Sequence, residues 1–217
     1  MGKAIEAIAS QRGHQIVQKI TSQNKDEINQ LRPKDIDVCI EFTSPESATS
    51  NLSSLLSAGM KVVCGTTGWY SDFDAVIKSM KVGQAALLTA TNFSPGVNIF
   101  FAAAQHLAHL IAKVPGYDTH ISETHHTEKK DAPSGTAITL ESLVRQQENM
   151  PIPITSHRIP DVPGIHELVY SNEIDELSLR HSAFSRQGFA LGAVLAAEFL
   201  QSKTGIYTMN DVFQFNS

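Results

Sequence analysis

Short apolar runs alternate with amphipathic stretches from the start of the chain to about residue 94. Strands buried on both faces read as continuous apolar runs, and parallel neighbours need crossover connections, so this pattern predicts a parallel sheet wrapped by helices. The spacing places strands at Gln15–Ile20, Val38–Phe42, Lys61–Cys64 and Ala85–Leu88, with helices at Lys3–Gln11, Pro45–Ala58 and Ser71–Met80 between them. Ser44 before Pro45 is a helix start, and Gly59 is its natural stop. Crossovers of this length suit a doubly wound sheet, an α/β fold.

A second organisation begins at Asn92-Phe93-Ser94-Pro95-Gly96, where Pro and Gly punctuate the chain before an apolar helix from Asn98 to about Lys113. Alternating runs at Tyr117–Glu123, Ile154–Ile159, His166–Tyr170 and Glu176–Ala183 then predict antiparallel or mixed strands with one wet face. A helix from Ala137 to about Glu148 sits among them. A last apolar helix, about Gln187 to Gln201, is expected to return to the first domain. The chain thus divides into residues 1–94 with 186–217, and an α+β domain of residues 95–185 carrying a mixed sheet.

Several function classes drop out early. A net charge of −5, with 17 Lys and Arg spread along the chain, gives no basic stripe for nucleic acid. The apolar stretch Ile99–Val114 is interrupted by Gln105, His106, His109 and Lys113, so no membrane span is expected. No signal-peptide pattern is expected either. The two cysteines, Cys39 and Cys64, lie inside short apolar runs and read as reduced core residues of a cytoplasmic protein.

The chemistry concentrates in Glu123–Ala137, where two imidazoles, two ammoniums and three carboxylates precede Ser134-Gly135-Thr136. His125 and His126 can titrate near neutral pH, and Lys129 can donate a proton or hold an anion. The helix opening at Gly135 and Thr136 offers backbone amides to a carboxylate. That is the outline of a site for a small acid. A metal site is not expected, because adjacent histidines point apart and no Cys or regularly spaced His completes a set. In the first domain, Gly65-Thr66-Thr67-Gly68 follows a strand, as do Phe42-Thr43-Ser44 and Ala90-Thr91-Asn92-Phe93. These polar loops are expected at the carboxyl edge of the sheet, where such folds bind ligands.

Taken together, the chain resembles the 4-hydroxy-tetrahydrodipicolinate reductase family over nearly its whole length. The family signature Glu-x-His-His-x-x-Lys-x-Asp-x-Pro-Ser-Gly-Thr-Ala is matched at every fixed position from Glu123 to Ala137, and its Gly-Thr-Thr-Gly loop at Gly65–Gly68. Phe42-Thr43, Asn92-Phe93-Ser94, and His181 through Ser185-Arg186 to Phe189-Ala190-x-Gly192-Ala193 also fit. The resemblance implies a Rossmann-like dinucleotide-binding domain and reduction of a cyclic dicarboxylate in the diaminopimelate route to lysine, with NADH or NADPH. By position it implies His125 as the acid/base residue and Lys129 as proton donor. His126, Gly135 and Thr136 would hold substrate carboxylate, with Glu123 and Asp131 setting histidine and lysine protonation. Gly2, Phe42, Gly65, Thr66, Thr67, Ala90, Thr91, Asn92 and Phe93 would line the cofactor. A homotetramer built through the second domain is also implied.

The family opens with a strand and the turn GxxGxxG; here Gly2 corresponds to its last glycine, so the first strand and two glycines are expected to be missing. The alternative expectation is therefore a truncated or relic form that binds the dicarboxylate but not the dinucleotide. After Gln15–Ile20, where an acidic residue commonly holds the NAD ribose, stand Thr21 and Ser22, then Lys25. That leaves the choice between NADH and NADPH open.

Overall fold

The computed structural model describes residues 1–148 and 151–215. Asn216 and Ser217, the end of the segment assigned to the first domain, lie outside the described residues. The chain forms two compact units, one of Met1–Ser94 with Phe189–Phe215 and one of Pro95–Gly188.

The first unit carries a parallel sheet of β1 (Cys39–Glu41), β2 (Lys61–Cys64), β3 (Ala86–Thr89) and β8 (Gly205–Tyr207), hydrogen-bonded in that order. Alternation within these strands sends side chains to two apolar layers. Val63, Ala86 and Leu88 pack with Ile5 and Ala9 of α1 (Gly2–Gln11) and with Ala190, Ala193 and Leu200 of α6 (Gln187–Leu200). On the other face, Val62, Cys64 and Leu87 pack with Leu52, Leu55 and Leu56 of α2 (Pro45–Ser57) and Val76 of α3 (Phe73–Ser79). Full burial of each Val or Leu contributes about 1.5–3 kcal/mol. A sheet covered on both sides in this way accounts for the continuous apolar runs of its strands.

One expected strand is absent. Gln15–Ile20 has no ladder partner among the described residues, and Ile16 and Val17 remain exposed. An apolar pattern supplies a face to bury, but a strand exists only where its N–H and C=O groups meet a neighbour. Conversely, β8 is a strand that the pattern did not announce: three residues after a turn are too few to show a period, and pairing with β3 creates it.

The second unit holds a mixed sheet in the order β5-β4-β6-β7, built from β4 (Asp118–His125), β5 (Ile154–Arg158), β6 (Gly164–Ser171) and β7 (Glu176–Ala183). Strand β4 runs parallel to β5 and antiparallel to β6, which is antiparallel to β7. One face packs Ile121, Leu168 and Tyr170 against Phe100, Phe101, Ala104 and Ala108 of α4 (Pro95–Ile111) and against Leu140 and Val144 of α5 (Gly135–Glu148). Among the described residues, no helix is long and apolar enough to cross a membrane. The chain ends its described part with α7 (Met209–Phe213), opened by a capping box between Thr208 and Asp211.

Candidate active site

Register puts polar residues in line on the buried face of the second sheet. Ile121, Glu123 and His125 alternate inward along β4, and Glu123 stands opposite Ser156 on β5 and His166 on β6; His166 in turn stands opposite His181 on β7. The apolar face therefore changes character at the carboxyl end of β4. Gly164 makes room for this change, since a Cβ there would lie 3.2 Å from Nε2 of His125.

Glu123 is fully buried yet well provided with donors. Its Oε1 accepts from the Ser134 backbone N–H at 3.0 Å and the Ser156 hydroxyl at 2.7 Å, and Arg158 donates to it from 3.4 Å. Its Oε2 lies 3.4 Å from Nδ1 of His125 and 3.8 Å from Nε2 of His166. Burial works against ionisation of Glu123, but the hydrogen bonds from Ser134 and Ser156 and the nearby His125 together hold its carboxyl below the usual range. Burial also presses His125 below its ordinary value; Glu123 opposes this, while the charges of Lys129 and Arg158 reinforce it. His166 is pushed down to about 4, first by burial and then by His125. Both imidazoles are thus neutral at pH 7. Their rings meet edge to face, 5.0 Å between centroids.

The expected site residues divide by position. His126 follows the end of β4 with opposite parity to His125 and is half-buried; its carbonyl accepts from the Lys129 N–H at 3.2 Å. Lys129 Nζ holds both carboxylate oxygens of Asp131 at 2.8 Å. Ser134, buried, caps α5: its hydroxyl accepts from the Ala137 N–H at 3.1 Å and lies 3.2 Å from Nε2 of His166. Gly135 and Thr136 form the first turn of that helix, and above Gly135 there is open space where a Cβ would meet no protein atom within 4 Å. The run from Glu123 to Thr136 therefore gathers a buried carboxylate, the imidazole of His125, the amine of Lys129 and a helix N-terminus. This arrangement can hold a dicarboxylate and exchange protons with it.

Sequence spacing missed Ser156, Arg158 and His166, which come from β5 and β6. His166 also supplies what spacing could not: one ligand-type atom from each of Glu123, His125 and His166 lies within 4.8 Å of the others. Positive charge beside Glu123 is supplied by Arg158, whose Nη2 lies 3.4 Å from Oε1.

In the first unit the loops after β1, β2 and β3 share the carboxyl edge of the parallel sheet. Buried Glu41 ties two of them together, accepting from the hydroxyls of Thr43 and Thr66, the latter at 2.7 Å; Thr66 Oγ1 accepts from the Thr43 N–H at 2.8 Å. The Phe42 ring lies over Gly65 and packs against Phe93, centroids 5.6 Å apart. An added Cβ at Gly65 would stand 2.1 Å from the Phe42 ring, so this glycine is demanded by its neighbour. Thr67 and Thr91 are exposed at the edge, Ala90 is half-buried, and Asn92 is buried with its side-chain oxygen accepting from the Ser94 N–H at 2.9 Å. Gly2 opens α1, and nothing within 4 Å of it would meet a side chain. Burial pushes the Cys39 thiol up to about 12 and Cys64 higher still, which makes both inert core residues.

Residues 1–93 match the family model described as dihydrodipicolinate reductase, N-terminus, and residues 96–213 match that described as dihydrodipicolinate reductase, C-terminus. The chain belongs to the dihydrodipicolinate reductase family. It is therefore an oxidoreductase, and its N-terminal half is the family's domain for NADH or NADPH. It is 42% identical to a 4-hydroxy-tetrahydrodipicolinate reductase of Christiangramia forsetii, with 98% of this chain and 93% of the relative covered. A relative of the same name from Thermosipho africanus is 33% identical, covering 99% of this chain and 93% of its own. Among solved structures, the fold is like dipicolinate-bound dihydrodipicolinate reductase from Paenisporosarcina sp. TG-14, with TM-score 0.68, 23% identity, and 88% and 80% of the two chains covered. An amine dehydrogenase from Mycobacterium smegmatis shares the architecture at TM-score 0.63 and 12% identity, covering 97% and 92%.

Proposed function

We propose that this chain reduces 4-hydroxy-tetrahydrodipicolinate to tetrahydrodipicolinate with NADH or NADPH and loss of water, on the route through diaminopimelate to lysine. The observation that carries this reading is the buried Glu123–His125–His166 cluster beside Lys129 and the N-terminus of α5. The chemistry asks for such a group. Loss of the hydroxyl as water takes one proton from a ring carbon and gives one to the leaving oxygen, and reduction of the conjugated imine then consumes one proton more. His125, neutral at pH 7, accepts and returns a proton. Lys129 supplies one. His126 and the helix start at Gly135 and Thr136 hold carboxylate.

When bound, the dinucleotide supplies the hydride. The loops of Phe42, Gly65–Thr67 and Ala90–Phe93 suit it, because they share one sheet edge and Glu41 locks two of them in register. Gly2 is assigned to the same ligand by sequence position. Calorimetric titration of the intact chain with NADH and with NADPH is expected to give saturable binding of at least one. No heat with either, on folded protein that binds pyridine-2,6-dicarboxylate, would instead establish the binding-only form. Gly65→Ala displaces the Phe42 ring, a cost of about 1–3 kcal/mol, and is expected to weaken dinucleotide binding about ten- to a hundredfold. An unchanged Kd would remove Gly65 from the cofactor site.

A further inference from the structure

Between His126 and Ser134 the chain has neither helix nor strand, so Lys129 is placed by side-chain and turn contacts alone. Arg158, the last residue of β5 and the register partner of His125, supplies those contacts. Its Nε donates to the Lys129 carbonyl at 3.4 Å and its Nη2 to the Asp131 carbonyl at 2.5 Å. Nη1 and Nη2 face Oε1 of Glu123 at 3.5 and 3.4 Å, and Nη1 also donates to the His157 carbonyl at 2.8 Å. One planar fork thus reaches the buried carboxylate, its own strand and two points of the loop. A guanidinium has donors enough for this and holds them in fixed directions; an ammonium does not.

We propose that Arg158 is the positioning residue of the Lys129 loop, fixing where Lys129 is presented by holding the Lys129 and Asp131 carbonyls against buried Glu123. The inference rests on the roles proposed for His125 and Lys129. Arg158 is more than a counterion. A counterion would touch Glu123 and nothing else, whereas most of the hydrogen bonds of this guanidinium go to main-chain carbonyls, two of them on the loop. Asp131 completes the arrangement, since its carbonyl is held by Arg158 while its carboxylate holds Lys129 Nζ.

Two substitutions separate fork from charge. Arg158→Lys keeps the charge and loses the fork; it is expected to lower kcat about a hundredfold, the cost of a displaced reacting group, with dinucleotide affinity unchanged. The pH profile should keep its wild-type limbs. His125 is faced by Glu123, Lys129, Asp131, Arg158 and His166, and the Arg158 charge presses it down, so Arg158→Gln is expected to move its limb to higher pH as well as lowering kcat. Amide hydrogen exchange supplies a readout free of turnover: both variants should lose protection at Lys129 while the sheet keeps its own. Wild-type kcat in Arg158→Lys, or wild-type protection at Lys129 in that variant, overturns the proposal. Wild-type protein that lacks turnover but shows the loss of protection on substitution leaves Arg158 as the loop's clamp and sinks the functional reading alone.

Discussion

Replacing His125 with Ala is expected to lower kcat about a hundred- to ten-thousandfold, the range for removing a positioned acid or base, while the Kd for NAD(P)H stays within about twofold. Lys129→Ala is expected to behave in the same way. Neither side chain belongs to the first unit, whose sheet edge carries the loops proposed for the dinucleotide, and each is engaged in the second unit: His125 beside Glu123 at 3.4 Å, Lys129 on Asp131 at 2.8 Å. The sign of the pH dependence follows from the imidazole. Burial holds His125 below its ordinary value of 6.5, so it stays neutral at pH 7, and kcat/KM is expected to fall only as pH drops below that value. In His125→Ala this acid limb should vanish. The measurement is steady-state kinetics across pH, paired with calorimetry for the dinucleotide. Equal losses in turnover and dinucleotide affinity would contradict the assignment.

The fold was legible where burial leaves a long signature. Lys61–Cys64 is a strand over the same residues in sequence and structure, and helix α2 starts where Ser44 and Pro45 announced it. Gln15–Ile20 shows the limit of such reading, because pattern describes one strand and pairing needs two. The candidate site was legible only along the chain. A contiguous run displays Glu123, His125, Lys129 and Asp131 together, but Ser156, Arg158 and His166 join them through the register of β4 with β5 and β6, which no local spacing encodes. A faint signal existed. His166 shares parity with Leu168 and Tyr170, and Ser156 and Arg158 with Ile154, so each sits on the apolar face of a strand, where a polar side chain must find a partner. Glu41 is a similar case: an acid at the end of a buried strand, held by Thr43 and Thr66 in two different loops as well as by Asn51 and Cys64.

Glu123→Ala is expected to cost about 3–5 kcal/mol of stability, the range for breaking a buried, hydrogen-bonded charge pair. The substitution strands the Ser134 N–H and the Ser156 hydroxyl and takes the carboxylate partner from Arg158, which keeps its main-chain carbonyls. Arg158 keeps 22% of its side chain exposed, so water recovers part of the loss and the lower end is favoured. Acid is expected to lower stability on its own account. A buried histidine held at about 4 binds no proton in the folded chain at pH 5, whereas the unfolded chain, at its ordinary 6.5, does. Stability is therefore complete above pH 6.5 and is lost as pH falls toward 4, by up to about 3 kcal/mol from His166 alone. Glu123 acts in the same direction: its lowered carboxyl contributes stability above the ordinary carboxylate range that disappears as it protonates. Folded His166 is unprotonated at pH 5 with or without Glu123, so its share of the acid loss is the same in both proteins, whereas the share of the carboxyl belongs to the wild type alone. Urea denaturation of both proteins at pH 7.5 and pH 5 measures the two terms. Equal midpoints for wild type and Glu123→Ala at pH 7.5 would mean that the buried carboxylate does not hold the loop, β5 and the start of α5 together.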